Sequence, residues 1–323
     1  MEGGTITAYL AADGFLDQLA EELRRGGVAE RSRHGRLILG EGPPIAAAWA
    51  ANVWHDCAEL PATSIGSAAQ ALRAIQRNWA MYAPVHHRRA ALIAERLPHV
   101  SAKPVVFPAA APTAPLGSWT LLAADKLLAA ARCSAPFANG DVVFVEDRTG
   151  PPNRAYLKLW EALVRLGRWP QPGERCLDLG ASPGGWTWAL ARLGAHVLAI
   201  DKAPLAPHVA AMPGVDWRGE SAFALTPESV GPIDWLFSDI VCYPARLLQL
   251  VERWRASGLV RTFVCTIKFQ GATDHETAAA FAALPGARVM HLHHNKHELT
   301  FLLEGGVSGW PRGSGSAGPT RQN

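Results

Sequence analysis

Beyond residue 154, short apolar runs alternate with stretches of helical periodicity. Four of these runs have five or six mainly apolar residues bounded by polar or glycine-containing turns, which is the pattern of buried strands. Strands and helices that alternate at this pitch predict a doubly wound, mostly parallel α/β sheet. The chain then ends in an apparent hairpin, so the last strand is predicted to be antiparallel. The four runs are residues 175–179, 196–200, 234–238 and 262–267, a helix is predicted over 156–166, and the hairpin covers 288–303.

The first hundred residues show a less regular α/β pattern. Apolar runs at 6–10 and 36–39 predict short strands, and residues 15–25 have helical spacing up to a pair of glycines, which is a stop signal. Further helices are predicted over 67–83 and 87–97. This half of the chain is therefore expected to form a smaller α/β domain of its own.

A shift in composition separates these two patterns. Residues 101–118 are rich in proline and alanine, which is typical of a linker or a long loop. The predicted organisation is an N-terminal α/β domain over 1–100, a Pro/Ala-rich linker or reduced additional module over 101–150, the sheet domain over 151–306, and a disordered tail over 307–323.

Composition narrows the class of protein. The chain has 323 residues, 49% hydrophobic and 18% charged, so it can bury a substantial core and is not generally disordered. It contains no uninterrupted apolar run of ~18 residues, which argues against a membrane span. The start, Met1-Glu2-Gly3-Gly4, lacks the basic region of a secretory signal. Five scattered cysteines fit buried thiols in a reducing compartment, and we expect a cytoplasmic location.

The net charge of +3 does not by itself indicate a nucleic-acid partner. Of the 31 basic residues, 25 are arginine and six are lysine. Codon bias is the simplest interpretation of the excess of arginine. It also draws attention to each lysine, because the chain otherwise avoids this residue.

The segment LDLGASPGGW, residues 177–186, carries the strongest chemical signal. A strand runs into a glycine-rich turn, and a helix follows from about residue 185. Gly180 permits a tight turn, and the pair Gly184-Gly185 allows a ligand to approach the backbone closely. The helix N-terminus favours a negatively charged group nearby. Asp201 ends the next strand, where an acid can accept hydrogen bonds from a ribose diol.

A glycine-rich loop of this kind can bind a dinucleotide or S-adenosylmethionine. A dinucleotide site requires the pattern G-x-G-x-x-G, and its second glycine is missing here. S-adenosylmethionine has a carboxylate, a ribose and an adenine but no pyrophosphate, so the pattern D-x-G-x-x-P-G-G suits it better. A glycine turn without any ligand is the remaining alternative.

Four polar residues stand at the edge of the predicted sheet where open α/β folds bind ligands. Lys158 lies on the helix before the first strand, Asp239 and Lys268 follow apolar strands, and Glu298 opens the last strand. Each of them taken singly is more simply interpreted as a solvated charge at the end of an element.

Together with the loop, these residues resemble the Lys-Asp-Lys-Glu tetrad of FtsJ-type RNA 2′-O-methyltransferases. Within this family the chain is most similar to the RlmM branch, which methylates a cytidine ribose in bacterial 23S rRNA. The similarity rests on residues 153–159 (NRAYLKL), 177–186, Ser238-Asp239, Ile267-Lys268 and Glu298. It covers about residues 151–304 and is faint before them. It implies a Rossmann-like methyltransferase sheet, S-adenosylmethionine as the cofactor, and a smaller N-terminal domain of ferredoxin-like or THUMP type.

The resemblance also implies roles for individual residues. Lys268 is the expected general base, with Lys158, Asp239 and Glu298 completing the tetrad. A lysine can accept a proton only if its pKa falls from about 10.4. A neighbouring cation and desolvation both lower it, whereas arginine effectively never deprotonates. Ser221 stands where the family often has an acid near the adenine. The implied cofactor residues are Asp178, Gly180, Ser182, Pro183, Gly184, Gly185, Trp186, Asp201, Glu220, Ser221 and Asp239.

Five arginines, four of them before the sheet domain and one at its start, are candidates for holding RNA through its phosphates. An ordinary solvated helix surface is the alternative for them. Four histidines between 291 and 297 are assigned no role, and no metal is expected. The candidate RNA contacts are Arg73, Arg77, Arg88, Arg89 and Arg154.

The sequence thus predicts an S-adenosylmethionine-dependent RNA ribose 2′-O-methyltransferase acting on 23S rRNA, with no DNA or membrane partner. Two alternatives stay open. One is the same chemistry on a tRNA or on another rRNA site. The other is an RNA-binding protein with an idle methyltransferase domain, although such a protein would have no need of both lysines.

Overall fold

The structure is a computed structural model that describes residues 5–305, and the tail predicted over 307–323 lies outside them. Three β-sheets, each with helices packed against it, account for most of this part of the chain. No helix among these residues has the length and apolar character needed to cross a membrane.

The first half of the described chain builds two of the sheets. Its elements are β1 (Ile6–Ala11), α1 (Leu16–Arg25), β2 (Ala29–His34), β3 (Leu37–Glu41), β4 (Ala50–His55), β5 (Ala58–Pro61), α2 (Ile65–Ile75), β6 (Trp79–Met81), α3 (His87–Ala94), β7 (Gly117–Ala123), β8 (Lys126–Ala130) and β9 (Arg132–Cys133), followed by a short 3₁₀ turn at Ala138–Gly140.

The five-stranded sheet is antiparallel, with the order β2-β3-β1-β4-β9. Helix α1 packs on it through Leu19 and Leu23, in agreement with the spacing that predicted this helix. The connection from β3 to β4 contains no helix and runs through residues 42–49. One face of the sheet is therefore left to be covered by another part of the molecule.

The four-stranded sheet, ordered β5-β8-β7-β6, corrects two expectations. First, β7 and β8 pair with β5 and β6, so strand pairing runs across the predicted boundary at residue 100. Second, the helix predicted over 67–83 ends at Ile75, and Trp79 belongs to a strand. The apolar stripe was misleading because Ile75 is 45% exposed, whereas Trp79 is buried by its parallel pairing with β7.

The second half forms the seven-stranded sheet. Its elements are α4 (Tyr156–Leu166), β10 (Arg175–Leu179), α5 (Gly185–Arg192), β11 (His196–Ile200), α6 (Pro207–Ala210), β12 (Val215–Arg218), α7 (Pro227–Val230), β13 (Ile233–Ser238), α8 (Pro244–Ala256), β14 (Val260–Lys268), α9 (His275–Ala282), β15 (Ala287–Met290) and β16 (Glu298–Glu304).

This sheet confirms the predicted α/β architecture. Its order is β12-β11-β10-β13-β14-β16-β15, and β16 alone runs antiparallel to its neighbours. The chain winds outward from β10 in one direction and then from β13 in the other. The strand order therefore reverses between β10 and β13, and a crevice is expected there at the carboxyl ends of the strands.

The two halves share their cores. Trp49 and Val53 of the first half belong to one apolar cluster with Phe269, which follows β14, and Phe281 of α9. On the opposite face, the segment predicted as a linker packs against α4, where Phe107 stacks on Trp160 with ring centroids 4.9 Å apart. Helix α4 is consequently buried on almost every side, as expected for a helix that is apolar around most of its circumference.

Candidate active site

The four predicted polar residues converge into one cluster of charges. Lys158 Nζ lies 2.9 and 3.0 Å from the two carboxylate oxygens of Asp239 and 3.1 Å from Glu298 Oε1. Lys268 Nζ lies 3.0 Å from Asp239 Oδ1 and donates to the main-chain oxygen of Asp239 at 2.6 Å. Both ammonium groups thus contact one carboxylate. The side chains are 9–18% exposed, so the cluster is shielded but still reached by solvent.

Backbone geometry explains why residues so distant in sequence meet. Lys268 ends β14 and is directly paired with Glu298 at the start of β16. Asp239 follows β13, the parallel neighbour of β14, and its N–H donates to the oxygen of Leu179 at the end of β10. Lys158 extends from the first turn of α4 to these strand ends.

The electrostatics distinguish the two lysines. Burial lowers the pKa of Lys158, but the charges of Asp239 and Glu298 outweigh burial, so its pKa is raised. Lys158 therefore stays cationic and holds the two carboxylates together. Lys268 has ionic contact with only one of them, Asp239.

A second charged cluster lies one turn further along α4 and was not foreseen. Glu161 is fully buried and accepts hydrogen bonds from the main-chain N–H groups of His293 (3.0 Å) and His294 (3.1 Å). The ring Nδ1 of His294 lies 2.9 Å from its carboxylate, and Arg165 Nε donates at 2.9 Å. Burial raises the pKa of Glu161, yet these partners outweigh burial and hold it below its usual value.

Glu161 thereby fixes the loop 291–297, which leads directly into Glu298. The five-stranded sheet holds the same loop from the other side. His291 donates from its N–H to Ala48 O at 2.6 Å, and its ring packs on Phe15 and Trp49 with centroids 4.7 and 5.4 Å away. Burial lowers the pKa of His291 to about 4, so it is neutral at physiological pH.

The other histidines of this loop also have partners within the protein. His297 stacks on Phe15 and bonds Thr273, and His293 pairs with Asp141 at 3.2 Å. Within residues 5–305, no group of three or more His, Cys, Asp or Glu side chains is arranged to hold a metal ion.

The glycine-rich loop lies at the reversal point of the sheet, between β10 and α5. Gly180 has φ +79° and Gly184 has φ +110°, conformations that favour glycine. Packing within the protein requires the small residue too: a Cβ at Gly184 would lie 2.9 Å from Val209, and one at Gly185 would lie 2.2 Å from Asn153 Oδ1. The glycines therefore let the chain approach itself, in addition to any ligand.

The donors and acceptors at this loop fit S-adenosylmethionine. The first N–H groups of α5 lack partners within the helix and suit the methionine carboxylate. Asp201 directly follows β11 beside them and accepts from Ser182 N (3.0 Å) and Ala203 N (2.9 Å). Each carboxylate oxygen can accept further bonds, so Asp201 both braces the loop and has acceptor capacity for a ribose diol.

Asp178 and Trp186 lie beneath the loop and not at its surface. Asp178 is 1% exposed; one of its oxygens accepts from Thr187 Oγ1 at 2.7 Å and the other has no partner. Burial raises the pKa of Asp178 to about 7. Trp186 is buried, and its indole N–H donates to Ala155 O at 2.9 Å, which ties the loop helix to the start of α4.

The other predicted residues lie at scattered positions. Glu220 and Ser221 follow β12 at the same sheet edge, and Pro183 lies in the loop, where its oxygen accepts from Ala206 N. Arg73, Arg77 and Arg88 are exposed around α2 and α3. Arg89 instead donates to Ala62 O, and Arg154 pairs with Glu146.

Residues 151–278 match the FtsJ-like methyltransferase family. This region is an FtsJ-like methyltransferase domain. The resemblance inferred from the tetrad and the loop is therefore confirmed, and with it S-adenosylmethionine as the cofactor of such a domain.

Several curated proteins are similar to this chain, and those named here are each called Ribosomal RNA large subunit methyltransferase M. The protein from Halorhodospira halophila is 39% identical over 157 residues, or 46% of either chain. The protein from Alkalilimnicola ehrlichii is 34% identical over 180 residues, covering 52% of this chain and 48% of its own. The chain thus spans about half the length of these relatives.

Solved structures are more distant. A TehB-like SAM-dependent methyltransferase from Corynebacterium glutamicum is 15% identical, with a TM-score of 0.31 over 46% of this chain and 96% of its own. A likeness this low has no bearing on function.

Proposed function

We propose that the chain is an S-adenosylmethionine-dependent RNA ribose 2′-O-methyltransferase whose substrate is a cytidine of 23S rRNA. The observation that carries the proposal is the sharing of one carboxylate, Asp239, by two lysines beside the glycine-rich loop. The substrate is suggested by the similar proteins, whose name specifies large-subunit ribosomal RNA. We expect the enzyme where ribosomes are assembled, in the cytoplasm.

The tetrad divides the work between its two amines. Lys158, paired with two carboxylates, remains a cation and keeps Asp239 and Glu298 in place. Lys268 accepts the proton of the ribose 2′-hydroxyl, because it has a single carboxylate partner and its neighbour is a fixed positive charge. Asp239 and Glu298 hold the two amines in register, so that the hydroxyl bound at Lys268 is placed in line for attack.

The cofactor supplies a methyl group bound to a sulfonium sulfur, and its leaving group, a neutral thioether, needs no acid assistance. Ser182, Pro183, Gly184 and Gly185 would line its methionine end, and Asp201 would accept from its ribose. Glu220 and Ser221 would lie towards the adenine. Asp178 and Trp186 support this site from below, since neither side chain reaches the surface.

The N-terminal half would capture the RNA. The order β4-β1-β3-β2 is that of a ferredoxin-like sheet that lacks its second helix, which supports the expected ferredoxin-like unit. We assign RNA binding of THUMP type to the four-stranded unit, residues 58–130. Arg73, Arg77 and Arg88 would contact phosphates, and Arg154 would do so beside the site. Arg89 is less suited, since its guanidinium is bonded to Ala62.

The direct test is transfer of a labelled methyl group to unmodified, transcribed 23S rRNA, followed by nucleoside analysis. The expected product is 2′-O-methylcytidine. Lys268→Ala should lower the rate by about 10²- to 10⁴-fold, the usual contribution of a general base, with unchanged cofactor binding. Methylation of a base, or full activity of Lys268→Ala, would exclude the proposed chemistry. Cofactor binding without RNA methylation would favour the idle, RNA-binding alternative.

A further inference from the structure

An apolar ridge follows the catalytic carboxylate directly along the chain. Val241 is 72% exposed and Tyr243 is 67% exposed, whereas Cys242 between them is buried. We name these two side chains the 241/243 ridge. Single exposed apolar residues are ordinary on a protein surface. Two large ones, alternating on the loop after Asp239, are a feature that the core does not explain.

Tyr243 differs from the other tyrosines of the chain. Tyr9 and Tyr82 accept hydrogen bonds from main-chain N–H groups, and Tyr156 donates to Asp147 O. The Tyr243 hydroxyl and ring, by contrast, have no contact of these kinds within residues 5–305. A tyrosine usually satisfies its hydroxyl or buries its ring, so a fully presented one is available for a ligand.

The backbone beneath the ridge is held firmly. Lys268 binds the main-chain oxygen of Asp239, and Ile240 packs so closely on Gly180 that a Cβ there would lie 2.8 Å from it. Tyr243 caps α8, and its oxygen accepts from Arg246 N at 3.0 Å. The aromatic ring is therefore displayed from a fixed position and is not on a loose loop.

The ridge is also close to the proposed chemistry. Tyr243 is four positions after Asp239 along the chain, so their Cα atoms are at most about 14 Å apart. Burial raises the pKa of Cys242, and the charges of Arg246 and Lys268 are near enough to oppose that rise. The other well-exposed aromatic residue in the described chain, Trp217, lies on β12 at the far edge of the sheet.

Ribose chemistry determines what should lie on this surface. The 2′-oxygen and the base sit on adjacent ribose carbons, so a 2′-hydroxyl at Lys268 brings its own base within a few ångströms. RNA-binding proteins commonly stack unpaired bases on aromatic side chains. We propose that the base of the target nucleotide stacks on Tyr243, with Val241 packing against its edge. This inference rests on the proposed function and adds the nucleobase subsite to it.

The first test measures KM and kcat for transcribed 23S rRNA. Tyr243→Ala should raise the KM for RNA by about tenfold or more, as expected for a lost stacking contact. Tyr243→Phe should stay near wild type, because it keeps the ring, and cofactor affinity should change in neither. Val241→Ala should have a smaller effect. Val106→Ala, at a residue 68% exposed elsewhere, serves as the matched control and should have none.

The second test identifies the contacted base. A short RNA containing the mapped target is prepared with an abasic ribose at that nucleotide. The affinity of wild type should be lower for the abasic RNA than for the normal RNA, by about the same factor as Tyr243→Ala lowers the affinity for normal RNA. Tyr243→Ala should bind the abasic RNA as weakly as it binds the normal RNA. If the substitution and the missing base each lowered the affinity independently, so that the two factors multiplied, the inference would be overturned. Wild-type kinetics of Tyr243→Ala would overturn it too. If wild type methylated no RNA at all, the proposed function itself would fall.

Discussion

Helix α4 carries two charged clusters one turn apart, and they are built in opposite ways. Around Glu161, a single carboxylate receives main-chain, histidine and arginine donors and is fully buried. Around Lys158, two amines and two carboxylates face one another and remain 9–18% exposed. In the first cluster, the Glu161 carboxylate has all of its hydrogen-bond partners within the protein. The second cluster is still accessible from solvent.

The difference separates a structural role from the chemical role that we propose for the tetrad. In the neutral form that the proposed reaction requires, a lysine amine has two N–H donors and one lone pair, and Lys268 has two acceptors for those donors, Asp239 Oδ1 and Asp239 O. The lone pair is thus left for the proton of the substrate hydroxyl. Glu161 leaves no such site, and its contacts instead set the loop that presents Glu298. The structural cluster is therefore the support of the chemical one.

Removal of the structural carboxylate should have the largest effect. Glu161→Ala leaves Arg165 and the N–H groups of His293 and His294 buried without their acceptor. We expect the free energy of unfolding to fall by about 3–5 kcal/mol, as when one partner of a buried ion pair is lost. Urea unfolding measures this, with the exposed Glu252→Ala on α8 as control, expected within about 0.5 kcal/mol of wild type. Equal stability of both variants would mean that the two clusters do not differ as described.

Removal of the shared cation should mainly affect the reaction. Lys158→Met leaves Asp239 and Glu298 facing each other without the amine that binds both. We expect kcat for methyl transfer to fall by about 10²- to 10³-fold, or roughly 3–4 kcal/mol in the barrier, with little change in cofactor affinity. Lys103→Met should keep the wild-type kcat. An unimpaired Lys158→Met would remove this lysine from the mechanism.

The buried carboxyl group of Asp178 should make the stability of the protein depend on pH. Its pKa is raised to about 7, so folding favours its protonated form. That contribution is complete below the unfolded pKa near 4 and is lost as pH rises through 7. Between pH 5 and pH 7 the free energy of unfolding of wild type should therefore fall by about 2 kcal/mol. Asp178→Asn should not show this fall. Parallel stability curves for the two proteins, from urea titrations at several pH values, would contradict this.

Parts of this arrangement could be predicted from the sequence for a physical reason. The tetrad residues end or begin elements whose apolar patterns are strong, so both their positions and their common edge follow from the pattern. Glu161 could not be predicted, because a glutamate on a helix is ordinarily solvated. Its burial depends on a loop more than 130 residues away along the chain.

Two strands, one in each half of the chain, were harder to predict for the same reason. Strand β6 is three residues long and is fixed by pairing with β7, which lies beyond the Pro/Ala-rich segment. Strand β12 is mostly exposed and has no apolar alternation to reveal it. Where tertiary pairing determines an element, the local pattern does not indicate it.

The most direct test of the central claim is a map of ribose methylation in 23S rRNA from a strain that lacks this gene. We predict that one cytidine loses its 2′-O-methyl group, and that the wild-type gene restores it whereas Lys268→Ala does not. If no 2′-O-methylated position of the large-subunit rRNA changes, or if Lys268→Ala restores the lost one, the account is contradicted.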